Sequence, residues 1–200
     1  MFENIRADFA RKRDLYHAHG SWFVRYIKNC IDLGAISLVV YRFGHWCVNL
    51  KIPVVKHILL LFYLLMKFPV IAVAGIYIPA RAKIGKGFVI HNFSGIFIST
   101  GVIGENCTVQ QGVTIGAIRP NRWAGKPRPP RIGNNVYVGS GAKILGDIDI
   151  GDGAVIGANS VVMNNVPANC TVMGVPARIV SRNESGDQPY GMPAKKAENV

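Results

Sequence analysis

The apolar positions of this chain divide it into two unlike parts. From Ile78 to Val166 an aliphatic residue recurs every six positions. Ile78, Ile84, Ile90 and Ile96 fall in register. After a slip of one residue, Ile103, Val109 and Ile115 follow. After an intervening segment the series resumes with Ile132, Val138, Ile144, Ile150, Ile156 and Val162. The second place of each hexad is often glycine, as in Gly85, Gly104, Gly139 and Gly157. The fifth is usually small or β-branched, as in Ala82, Ser94, Thr100, Cys107, Ala142 and Ser160. A sandwich strand would alternate with period two and irregular spacing, which is not the pattern here. Three hexads make one triangular coil of parallel strand. The aliphatic side chain points inward onto its counterpart in the next coil, and the small residue turns the corner. No coil buries its own face alone, so each depends on its neighbours.

Residues 1–75 follow a different pattern. Phe2–Tyr16 is charged and helix-forming, and from Ser21 the sequence reads as one or two amphipathic helices broken near Gly34. Pro53 opens a further helix that is expected to stop at Pro69. Its uncharged run Ile58–Met66 is too short to cross a bilayer, and Lys67 and Pro69 interrupt its extension. The expectation is a core helix packed on its neighbours or on another subunit. The alternative is an interfacial helix, with Arg42, Lys51, Lys56 and Lys67 near acidic lipid. Between Ile115 and Ile132 a Pro- and Arg-rich segment containing Trp123 leaves the register, and a loop leaving a solenoid on one side is usually functional. The stretch after Val162 is expected to close the open end of the solenoid, whose bare edge would invite aggregation. The expected organisation is a helical region over 1–75, a β-helical domain over 76–180 and a disordered tail over 181–200.

The segment from Ala82 to Val180 resembles the hexapeptide-repeat acyltransferases, and among them the serine acetyltransferases. The matching stretches are Ala82–Ile98, Val109–Gly116, Ile132–Val162 and the terminal Gly174–Val180, about half of the chain. The resemblance implies a mainly β fold, a left-handed parallel β-helix behind an N-terminal α-helical region. It implies an enzyme that transfers acetyl from acetyl-CoA, a co-substrate, to a hydroxyl of a small polar acceptor, L-serine by closest resemblance. It also implies a homotrimer with sites between subunits, one wall of each formed by the irregular loop. Two alternatives stand beside this reading. One is a sugar O-acetyltransferase of surface-polysaccharide biosynthesis, suggested by the short helical region and its basic apolar segment. The other is a catalytically impaired β-helical partner subunit.

Charge narrows the partners. The 200 residues carry a formal net charge of +12. Such a balance points to an anionic partner. No nucleic-acid recognition motif accompanies it. Coenzyme A, with its phosphates, or a membrane surface fits better. No metal-ligand cluster, phosphate-cradling loop or dinucleotide fingerprint is visible. The cysteines Cys30, Cys47, Cys107 and Cys170 form no CxxC pair, and the charged N-terminus is unlike a secretory signal. A cytoplasmic protein is expected, with association at the inner membrane face as a peripheral alternative.

Acetyl transfer to a hydroxyl needs a general base, and histidine titrates near neutrality. Of His17, His19, His45, His57 and His91, only His91 lies in the repeats, so it is the candidate base. The resemblance complicates the assignment. Where serine acetyltransferases have Asp-His, this chain has His91-Asn92, so Asn92 falls on the family's catalytic histidine. Asn92 is therefore the second catalytic candidate, positioning acceptor or thioester. A further family histidine, in the loop, corresponds to Pro129, and Tyr77-Ile78 stands where an acidic partner is expected. Asp147 and Asp149 are expected beside the coenzyme groove, away from the acceptor. By motif position the resemblance places coenzyme A along Ser140, Gly141, Ala142 and Ala158, with Arg178 meeting phosphate.

Overall fold

The computed structural model describes residues 1–16, 32–99, 101–118 and 128–182. Helices fill the described part before residue 75: α1 (Phe2–Tyr16), α2 (Leu33–Val48) and α3 (Pro53–Pro69). Asp32 starts α2 by accepting the amide of Ala35 at 2.8 Å, as an N-cap carboxylate should. α3 does not stop at Pro69. It runs on as a π-helical turn, Val70–Ala74, and ends at Gly75 with φ 62°. Pro69 removes one amide from the ladder, and the wider π turn absorbs the lost bond. His17, His19, Cys30, Trp123 and the segment 183–200 lie outside the described residues.

From Ile76 the chain winds as a left-handed parallel β-helix with three flat faces. The first face stacks Ile76–Tyr77, Ile96–Ile98, Thr114–Gly116, Lys143–Leu145 and Val161–Val162. The second stacks Lys83–Ile84, Val102–Ile103, Arg131–Ile132 and Asp149–Ile150. The third stacks Val89–Ile90, Thr108–Val109, Tyr137–Val138, Val155–Ile156 and Cys170–Gly174. The strand Ala177–Arg182 then folds back antiparallel on Cys170–Gly174 and closes the lower end. It thus takes in Ser181 and Arg182, beyond the expected domain end at 180. The hexad aliphatics point inward and are buried throughout, each worth roughly 1.5–3 kcal/mol on transfer from water.

The register departs from the six-residue reading at one place. Ile98, not Ile96, stacks over Ile115, and Ile96 pairs with Ile76 in the column that turns the corner. The reason is a longer corner. Seven residues separate Ile90 from Ile98, against five from Val109 to Ile115, although Ile90 and Val109 are partners. Ser94, expected at an inward corner place, is therefore exposed and takes φ 95°.

The helices sit on the first coil. Residues 83, 85, 89 and 91 give their amides to the second coil, so alternate residues between them turn their polar groups outward. Side chains from α1 and α2 meet these. Tyr41 donates to the Ala82 carbonyl at 2.8 Å, Arg42 to those of Ile84 and Gly85 at 2.6 Å, and Lys12 to that of Ile90 at 2.7 Å. Asp8 accepts the Phe88 amide at 2.9 Å and binds Arg42 through two bonds, with both partners 3 % exposed. α3 packs on α2 through Tyr63, whose ring fills the space beside Gly44, where a Cβ would lie 2.3 Å away. Most of α3 is exposed, including Ile58, Leu61, Leu64, Leu65 and Phe68. Within this chain it is not the core helix expected.

Two outcomes follow from this packing. Arg42→Ala should cost roughly 3–5 kcal/mol in urea unfolding, because it strands the buried Asp8 carboxylate and two carbonyls. Burial pushes the hydroxyls of Tyr41 and Tyr63 from 10.0 up to about 12, and the Cys107 thiol from 9.0 up to about 11. The folded state thus holds these protons more tightly than the unfolded chain. The stability that these three groups contribute should therefore be lost as pH rises from about 9 to about 12. Urea midpoints across that window check this, with Tyr41→Phe blunting the fall.

Candidate active site

The long corner between the third and first faces gathers most of the residues singled out by sequence. His91 is the last ladder residue of its strand, its amide bonded to the Val109 carbonyl at 3.0 Å, and it is half-buried. Asn92 is the first residue off the ladder. It is exposed, and its Nδ2 donates to Gln111 Oε1 at 3.1 Å. One coil down the same corner holds Gln110 and Gln111, and the next holds Gly139, Ser140 and Gly141. Below these come Gly157 and Ala158. The five corner positions Gly75, Gly95, Gly112, Gly141 and Asn159 form a column of left-handed residues, φ 54° to 73°. A Cβ at Gly141 would lie 2.1 Å from Asn159 Oδ1. Four of these five positions are glycine, and this edge of the prism, with the small residues beside it, is termed the track.

The sequence-selected coenzyme residues differ in what they offer. Ser140 and Ala158 lie along the track, half-buried and exposed respectively. Gly141 keeps its amide on the Gln111 carbonyl at 2.8 Å. Ala142 is wholly buried, its carbonyl accepting the Thr114 amide at 2.9 Å and its amide engaged by Gly139, so it belongs to the core and not to the track. Arg178 is exposed on the terminal strand, opposite Met173, which covers Gly157 at the track's lower end.

Two residues that the sequence reading passed over complete the corner. Gln110 accepts both the amide and the hydroxyl of Ser140 on its Oε1 and donates from Nε2 to the Tyr137 hydroxyl. Its signal was present: glycine is common at the second hexad place, and here glutamine stands in it. Lys143 donates to the Gly112 carbonyl at 2.6 Å and to Thr114 Oγ1 at 3.1 Å, fixing the turn from the first face.

Asp147 and Asp149 are not beside this track. They lie at the second face, bonded to Arg131, whose guanidinium holds the Asp149 carboxyl below the usual carboxylate range. Arg131, Arg128 and Pro129 border an open depression of about 330 Å³ with Arg81 and Lys83. Its charge is strongly positive, and Pro129 offers no group that could move a proton. Among the described residues no cluster of His, Cys, Asp or Glu is placed to hold a metal.

Comparisons with known proteins give the relatives of this chain. The hexapeptide-transferase family model, bacterial transferase hexapeptide (six repeats), matches residues 129–164. A serine acetyltransferase of Buchnera aphidicola is 36% identical over 197 residues, covering 98% of this chain and 69% of its own. The chain belongs to the serine acetyltransferase family. The serine acetyltransferase of Synechococcus elongatus is 38% identical over 151 residues, covering 75% of this chain, and this chain spans 58% of its length. The solved serine acetyltransferase of Brucella abortus in complex with coenzyme A superposes with a TM-score of 0.74 at 29% identity, covering 90% of this chain and 68% of the other.

The track depends on Gly141. Gly141→Ala forces an L side chain into the left-handed region, and should lower stability by roughly 1–2 kcal/mol in urea unfolding.

Proposed function

We propose that this serine acetyltransferase family member is an acetyl-CoA-dependent O-acetyltransferase whose site is the long corner of the β-helix. The observation that carries this is the corner itself. The only histidine of the coils stands at the head of a track of small residues that runs to Arg178. In this reading the pantetheine arm lies along Ser140, Gly141 and Ala158, and Arg178 meets a phosphate of the coenzyme. The acceptor hydroxyl gives its proton to His91 as its oxygen attacks the thioester carbonyl. The coenzyme thiolate leaves and takes the proton back. Asn92, held by Gln111, positions the acceptor or the carbonyl. L-serine is the acceptor that the family name supplies.

A second reading has a specific observation behind it. Asn92 and Pro129 occupy the places of two family histidines, and no acid lies between Asp32 and Glu105 to receive a free amino group. A sugar hydroxyl, which brings no ammonium, suits such a site. The proposed assembly is a homotrimer, because a closed three-fold ring would set the basic depression of one subunit against the corner of the next. The proposed working place is the cytoplasm, with association at the inner membrane face as a peripheral alternative.

The test is thiol release from acetyl-CoA with serine, then with sugar nucleotides and lipid-linked sugars. His91→Ala should reduce turnover by about a hundred- to ten-thousand-fold while coenzyme binding holds. Asn92→Ala should cost less. Near-full turnover in His91→Ala would place the base elsewhere. A sharp rise in serine acetylation in Asn92→His would show that serine is not the present acceptor.

A further inference from the structure

The helix α3 with its π turn is the least buried apolar element of the fold. Pro53–Ala74 runs 22 residues, with a mean hydropathy of 2.1 over its most apolar stretch. Yet Val54, Ile58, Leu61, Leu65 and Phe68 are all more than half exposed. Burying a single leucine is worth roughly 1.5–3 kcal/mol, so leaving this many in water is a large cost for a free surface. The helix is anchored on one side by Tyr63 and Ala74, which are buried against the rest of the fold.

Charge decides what covers the remaining surface. Residues 33–104 contain no Asp or Glu, and the charged residues of this helix and its start are Lys51, Lys56 and Lys67. Lys51 and Lys56 stand at the start of the helix, and Lys67 near its end lies 4.6 Å from the Tyr77 ring centre. A second copy meeting this face by two-fold symmetry would bring these lysines together with no acid on the helix to offset them, and a contact within the three-fold ring proposed above is separated from a bilayer by the light scattering below. An anionic bilayer supplies both an apolar layer for the leucines and negative headgroups for the lysines.

We infer that α3 is a docking element that lies in the interface of an anionic lipid bilayer. This deepens the location proposed above and rests on no step of the acetyl transfer. The helix does not cross the bilayer, since Tyr63 and Ala74 tie it along its length to the folded domain. An aromatic tract continues from it toward the corner. Tyr77 stacks on Phe97 at 5.1 Å between ring centres, and Phe97 and Phe93 are both close to half exposed.

Flotation of the full chain with vesicles tests this. The chain should float with phosphatidylcholine vesicles containing phosphatidylglycerol and stay behind with phosphatidylcholine alone, and high salt should release it. Lys51→Gln and Lys56→Gln should each weaken partitioning about five-fold. Leu61→Glu with Leu65→Glu should abolish flotation, with circular dichroism unchanged because both sites are exposed. No flotation on anionic vesicles overturns the inference. So does release by detergent only, which would mean insertion. So does a larger assembly in light scattering that Leu61→Glu disperses, which would make a second copy the occupant. Thiol release with a soluble acceptor, unchanged by the leucine variants, separates this result from the fate of the acetyl-transfer reading.

Discussion

A coil at the end of a parallel stack has a neighbour on one side only. Every second residue then presents an amide and a carbonyl to nothing, and in a dry interior each such group costs about as much as a lost hydrogen bond. In this chain the outward carbonyls of Ala82, Ile84 and Ile90 and the amide of Phe88 would be those orphans. Each is met by a side chain from α1 or α2, and the meeting groups are Tyr41, Arg42, Lys12 and Asp8. Burying two cations and a carboxylate under helices is costly. It is tolerable because each charge has fixed partners: Arg42 with Asp8, Lys12 with Asp32. The helical region is thus the lid without which the first coil could not be dry.

That lid also fixes the site. Lys12 holds the carbonyl of Ile90, immediately before His91, while the Val109 carbonyl holds the His91 amide from the opposite side. The backbone on which the candidate base stands is therefore gripped from above and below. The lower members of the same corner are gripped by Gln110 and Lys143. Rigid backbone with small side chains is what a site needs to hold a long, flexible thioester at one depth.

Much of this was legible in the sequence, because the six-residue period has one physical meaning: an inward aliphatic at each turn of a triangular prism. The failures have equally definite causes. Ile96 and Ile98 are both aliphatic and both buried, so periodicity alone could not say which of them stacks over Ile115, and the extra corner residues hid the answer. Pro69 reads locally as a stop, but a π turn carries the helix past it when the next residues are apolar and helical. Ala142 looked like its small neighbours, yet the corner's outer and inner sides alternate, and it falls on the inner side. Asp147 and Asp149 were close in sequence to the track, but a corner separates them from it, and Arg131 holds them on another face.

The displacement of histidine by one position has a geometric consequence. Asn92 is the first residue beyond the ladder, on the outside of the long corner, while His91 is the last residue on it. A base at residue 92 would serve a hydroxyl poised at the corner's tip. Residue 91 sits back toward the third face, one coil above Gln110, whose side chain is bonded to the Tyr137 hydroxyl. The one-residue shift therefore moves the histidine from the tip of the corner onto backbone that the ladder and Lys12 fix.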